Sequence, residues 1–72
     1  MIALLMKIGI IGTGKMGEML GRQWAEAGHN VMCGSREAAR GAAVANQIGY
    51  GVTGGSIVDA AEFCEAAVLA FP

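Results

Sequence analysis

The stretch Lys7-Ile8-Gly9-Ile10-Ile11-Gly12-Thr13-Gly14-Lys15-Met16-Gly17 decides how this chain is read. An apolar run ends at Gly12 and opens the spacing G-x-G-x-x-G, and a helical pattern begins at once, from Lys15 to Ala27. Strand, glycine turn and helix in that order are the context a dinucleotide-binding turn requires. Gly12 suits the tight turn off the strand, and Gly14 lets backbone approach a pyrophosphate with no Cβ in the way. Gly17 lets the helix lie close on the sheet. The helix start then offers unpaired N–H groups and the positive end of its dipole to phosphate. Among twelve glycines the spacing alone could arise by chance, as a tight turn without a ligand; the flanking elements favour the nucleotide.

Outward from this stretch the pattern alternates strand and helix, which predicts an α/β fold: a Rossmann-like, doubly wound parallel sheet. The first strand, about Met6 to Ile11, is apolar on both faces apart from Lys7 at its start, as a central parallel strand must be. In the first helix Met16, Leu20, Trp24 and Ala27 form a stripe expected to face the core, and Gly28 is expected to stop the helix. Val31 to Gly34 reads as the second strand. Ser35 reads as the N-cap of a helix from Arg36 to about Ile48, rich in alanine and closed by Gly49. Tyr50 to Thr53 reads as a brief third strand and Gly54-Gly55 as a turn. Ser56 with Asp59 three residues on is a capping box that opens a short helix to about Cys64. Ala66 to Phe71 is then an apolar strand, followed by Pro72. The expected strand order is 3-2-1-4 with right-handed crossovers.

Composition narrows the function. The net charge of −1 is balanced, which argues against nucleic acid or a polybasic membrane contact. No apolar run approaches the roughly 20 residues of a membrane span. Residues 1–5 lack the basic start of a signal peptide and read as an upstream initiation or an appended extension before Met6-Lys7. Cys33 and Cys64 have no ligand or redox spacing and read as small buried thiols of a reducing cytosol. The one histidine, His29, precedes the amino end of the second strand, away from the end where ligands bind, and reads as a surface turn. An apolar fourth strand at a sheet edge would be an aggregation hazard. The chain is therefore expected to be the first half of a nucleotide-binding domain, cut after strand four, with further chain or a second copy covering that edge.

Which nucleotide is bound turns on residues after the second strand. Eighteen residues past Gly17, where an NAD enzyme carries an acid for the ribose hydroxyl, this chain has Ser35-Arg36. A carboxylate there would repel a 2′-phosphate, whereas a hydroxyl and a guanidinium would bind it. Arg40, one turn beyond Arg36 on the predicted helix, can reach the same phosphate, with Glu37 turned away. These residues predict NADP(H); the plainer alternative is a capped helix with a solvated basic face. Lys15 reaches the pyrophosphate or faces water, with nothing in the sequence to choose.

Lys7 to Gly17, then Ala27-Gly28-His29-Asn30-Val31-Met32-Cys33-Gly34-Ser35-Arg36, Val52-Thr53-Gly54-Gly55-Ser56 and Ala67-Val68-Leu69-Ala70-Phe71-Pro72 resemble the N-terminal Rossmann domain of the deazaflavin (coenzyme F420)-dependent NADP oxidoreductases. The resemblance covers nearly the whole chain from Met6. The glycine segment alone is shared with pyrroline-5-carboxylate reductases and β-hydroxyacid dehydrogenases, while Gly34-Ser35-Arg36 and Thr53-Gly54 point to the deazaflavin-dependent group. The resemblance implies that Thr13, Ser35, Arg36 and Arg40 hold the 2′-phosphate and that Gly14, Lys15 and Met16 form the pyrophosphate turn. It further implies that Ala70, Phe71 and Pro72 line the ribose and nicotinamide side. Lys15 stands where Asn or Ser is commoner.

The resulting expectation is a cytoplasmic oxidoreductase portion that binds NADP(H) and passes hydride to or from a second partner, a small molecule or a deazaflavin. No residue reads as a general acid or base, and no metal is implied. The rivals are a non-catalytic NADP(H) sensor, a pyrroline-5-carboxylate reductase-like or β-hydroxyacid dehydrogenase-like enzyme, and an incomplete unit that binds nothing well. A methyltransferase or flavin domain would want an acid where Ser35-Arg36 stands. Self-association through the last strand is expected.

Overall fold

A computed structural model of the chain describes residues 5–12 and 14–69. Seven elements follow in strict alternation: β1 (Lys7–Ile11), α1 (Lys15–Glu26), β2 (Asn30–Ser35), α2 (Ala38–Ile48), β3 (Thr53–Ser56), α3 (Ile57–Phe63) and β4 (Ala66–Leu69). The sheet is parallel with order β3-β2-β1-β4, as the alternation predicts. β1 is central because it can be: every residue from Ile8 to Ile11 is buried, and such a strand needs cover on both faces.

Side-chain alternation along the strands assigns the helices to faces. A Cβ added at Gly21 of α1 would lie 2.9 Å from Ile10 Cδ1 and 3.8 Å from Val31 Cγ1, so α1 covers the face carrying Ile10 and Val31. A Cβ at Gly9 would instead lie 2.9 Å from the Ala60 carbonyl and from Cys64 Cβ, so α3 covers the opposite face. The largest core side chains lie under α1 and α2. Ile8, Ile10, Val31 and Ala25 pack together with Trp24 and Val52 against them. Ile10, 1 % exposed, contributes about 1.5–3 kcal/mol by leaving water.

The contact face of α1 differs from the stripe read from the sequence. Gly17, Gly21 and Ala25 are its buried residues, whereas Met16 is 67 % exposed, Ala27 is exposed, and Leu20 and Trp24 are only half-buried. The helix is rotated by about one residue from the apolar stripe, because its small residues permit a closer approach to the sheet than Met16 and Leu20 would. It ends as expected. The Gly28 N–H donates to the Ala25 carbonyl and the His29 N–H to the Trp24 carbonyl, with Gly28 at φ 99°. This is the Schellman arrangement that favours glycine.

Two further boundaries differ. Gly54 and Gly55 are in β3, not in a turn, and the turn is Gly49-Tyr50-Gly51, where all three residues have positive φ (76°, 54° and 78°). Ser35 is the last residue of β2 rather than a helix cap. Residue 37 occupies the N-cap position of α2 without a side-chain cap, and Arg36 precedes the helix. The capping box at α3 is present: the Ser56 hydroxyl accepts from the Asp59 N–H at 3.1 Å, and Asp59 Oδ2 accepts from the Ser56 N–H at 3.0 Å. No helix among the described residues is long and apolar enough to cross a membrane.

Candidate functional site

Parallel register gathers the carboxyl ends of three strands. Ile11 sits beside Gly34, and Ser35 beside Ser56, so the turn after β1 and the segment after β2 leave the sheet as neighbours. Gly12, at φ 112°, is in a conformation that side chains disfavour, and its N–H donates to the Gly34 carbonyl at 2.8 Å. This bond ties the glycine turn to the end of β2. It also uses the Gly12 N–H, which leaves the amides beyond it as donors. Gly14 is the N-cap of α1, extended at φ −71° and ψ 165°, with its carbonyl accepting from the Glu18 N–H at 3.1 Å. No side chain caps this end, so the first-turn amides of Lys15, Met16 and Gly17 are open to an anion.

The residues expected at the nucleotide rim stand as follows. Ser35 is 6 % exposed at the end of β2, and alternation puts it on the α1/α2 face with Cys33 and Val31. Arg36 and Arg40 are exposed, the first in the loop after β2 and the second in the first turn of α2. They are therefore not partners on one helical face. What brings them to one end of the molecule is the short loop between β2 and α2. Glu37, also exposed, gives its carbonyl to the Arg40 and Gly41 N–H groups at 3.0 and 3.2 Å. Lys15 and Met16 are exposed at the start of α1 and Gly17 is buried beneath it. Thr13, Ala70, Phe71 and Pro72 lie outside the described residues.

The titratable groups nearby are set by ordinary causes. Burial pushes the Cys33 thiol up, and the Glu18 carboxylate adds to the effect. Cys33 is thus a protonated core residue and no nucleophile. The Ser56 amide and hydroxyl hold the Asp59 carboxyl below its usual range, so it is ionised but engaged in the cap. Cys64 is half-buried, its thiol on the Ala61 carbonyl at 3.5 Å. His29 lies at the opposite end of the sheet, where its Nδ1 accepts from the Met6 N–H at 3.0 Å. No cluster of metal-ligating side chains occurs among the described residues. A shallow groove along the outer side of α1, lined by Lys15, Glu18, Met19 and Arg22 among others, does not include Ser35, Arg36 or Arg40.

The donor set fits a dinucleotide phosphate: open amides at a helix start, a hydroxyl, and two guanidinium groups after the neighbouring strand. Sequence reasoning did not foresee one close contact between α2 and β3. Gly41 of α2 and Gly54 of β3 meet backbone to backbone, and a Cβ on Gly54 would lie 2.6 Å from Ala42 Cα. Their only signal was glycine where alanine or a β-branched residue would do better for the element itself.

A central parallel strand, a glycine turn off its carboxyl end and a helix opening on that turn define a Rossmann-like α/β unit. The particular family is that of the coenzyme F420-dependent NADP oxidoreductases: its model matches residues 7–72, and the chain belongs to it. No curated protein matches the chain.

Proposed function

We propose that residues 1–72 are the N-terminal portion of an NADP(H)-binding domain, and that the protein transfers hydride between NADP(H) and a deazaflavin. The observation that supports the reading is the Gly12–Gly34 hydrogen bond, which ties the glycine turn ahead of α1 to the end of β2, where Ser35 and Arg36 follow Gly34. The family description, which pairs NADP with coenzyme F420, supports both nucleotide and partner.

In this reading Gly12 sets the turn, and the amides of Gly14, Lys15, Met16 and Gly17 take the pyrophosphate. Ser35, Arg36 and Arg40, with Thr13, take the 2′-phosphate through charge-assisted hydrogen bonds. Ala70, Phe71 and Pro72 line the nicotinamide side. The bound nicotinamide supplies the hydride chemistry, and these residues supply binding and orientation. None of them is required to move a proton.

The test is calorimetric titration with NADPH and NADH side by side, followed by turnover with a deazaflavin acceptor. NADPH preference together with deazaflavin reduction is the expected result. Equal affinity for the two nucleotides would remove the 2′-phosphate site, and NADPH binding without turnover would favour a sensor.

A further inference from the structure

We propose that Gly41 and Gly54 are positioning residues for nucleotide selectivity: their backbone contact holds the start of α2, and through it Arg40 and the Arg36 loop, at the 2′-phosphate. The inference rests on the NADP(H) reading above. The buried face of α2 is Gly41, Ala45 and Ile48. Ala45 and Ile48 anchor the far end of the helix in the core, each 3 % exposed, with Ile48 Cδ1 within 3.4 Å of a Cβ built on Gly21. At the near end the buried residue is Gly41, which has no side chain to place in the core. A Cβ on Gly41 would collide with the Gly55 carbonyl and lie 3.0 Å from the Cys33 carbonyl, and one on Gly54 would collide with the Gly41 carbonyl. Neither glycine has a positive φ, so space rather than backbone conformation demands them.

Those obstacles are backbone atoms, which no rotamer change can clear. A methyl at either position must therefore lift the near end of α2 while Ala45 and Ile48 hold the other. Arg40 precedes Gly41 directly, and Arg36 lies in the loop that enters the helix. Both would move. Ser35 would stay, since it is paired to Ser56 in the sheet. The glycine turn would also stay, because it hangs from β1 and from Gly34 by the Gly12 bond. The geometry thus separates two groups of donors: those proposed for the pyrophosphate ride on the start of α1, and the two arginines proposed for the 2′-phosphate ride on α2 and the loop that enters it.

The experiment measures NADPH and NADH affinities of the unmodified protein, Gly41→Ala and Gly54→Ala, each also in an Arg40→Ala background. Loss of a well-aligned bond to a charged group predicts that Gly41→Ala lowers the NADPH:NADH affinity ratio about tenfold to a hundredfold, with NADH binding nearly unchanged. In the Arg40→Ala background the same substitution should lower the ratio clearly less, because part of its effect runs through that arginine. A folded Gly41→Ala that keeps the ratio, or that weakens both nucleotides equally, overturns the inference. If unmodified protein binds both nucleotides equally, the 2′-phosphate reading itself falls, and the inference with it. Should neither glycine variant fold, amide hydrogen exchange on the unmodified protein decides. Protection of α2 from Gly41 onward without NADPH supports a preset helix, and protection that appears only on adding NADPH overturns it.

Discussion

Arg36 carries the sharpest consequence at the level of single residues. It is exposed and stands directly after buried Ser35, at the end of β2 that the glycine turn meets through the Gly34 carbonyl. A guanidinium in water can reach a phosphate without a large desolvation cost, so its contribution should be that of one charge-assisted bond. Arg36→Ala is expected to weaken NADPH by about 1.5–3 kcal/mol and NADH by much less, read by calorimetric titration. Equal losses for the two nucleotides would mean that Arg36 does not see the 2′-phosphate. The acid at the α3 cap makes a different prediction. Asp59 has its pKa lowered by bonds to Ser56, so its contribution is fully present above the unfolded carboxyl's pKa and is lost as pH falls through the lower folded value. Asp59→Asn should therefore destabilise the fold at neutral pH and converge with the parent in acid. Urea midpoints measured between neutral pH and about pH 2 test this, and parallel curves across that range would count against the cap as the cause.

Among the elements, glycine packing decides how the helices sit, and it is where reading the sequence succeeds least. The β1–turn–α1 unit, the strand order and the Ser56–Asp59 box were legible because each has a directional signal: an apolar run, a glycine spacing, a cap with its acid. The face of α1 was legible only in part. The glycine spacing points to the close approach at Gly17, but hydropathy follows Met16 and Leu20 rather than Gly21 and Ala25, and glycine carries no hydropathic signal of burial. Gly54-Gly55 reads as a turn for the same reason, although β3 needs both glycines where neighbours crowd it on either face. Ser35 reads as a helix cap but ends β2 instead, because the strand runs one residue past its apolar stretch. Among the residues expected at a nucleotide rim, the sequence names types, and whether Ser35, Arg36 and Arg40 stand at one end depends on the loop between β2 and α2. Gly34 offers a direct check on this packing. A Cβ there would lie 2.7 Å from Ala60 Cβ and 2.9 Å from the Ser56 carbonyl, so α3 must retreat from β2 to admit it. Gly34→Ala should lose about 1–3 kcal/mol in urea unfolding. A neutral result would mean that α3 slides without penalty and that the close approach is incidental.

For the whole molecule, the arrangement of strands raises the matter of its open edge. β4 pairs with β1 along Ala66 to Leu69, and among the described residues no strand pairs with its other side. The segment is Ala66-Ala67-Val68-Leu69, with no charge, proline or bulge to discourage another strand from adding there. Ala67, in register with Gly9, is exposed, so a substitution there can be made without opening the core. These features predict that the 72-residue chain self-associates through β4 and that a charge at Ala67 suppresses it. Light scattering across a concentration series should give a mass that rises with concentration for the parent and stays at 7.3 kDa for Ala67→Lys. Circular dichroism of Ala67→Lys should match the parent, since β1 retains its pairing with β2. A parent that remains monomeric throughout would mean that the free edge is protected without a second copy. Association that persists in Ala67→Lys would move the contact elsewhere, with exposed Met16 and Met19 on the outer side of α1 the next surface to charge.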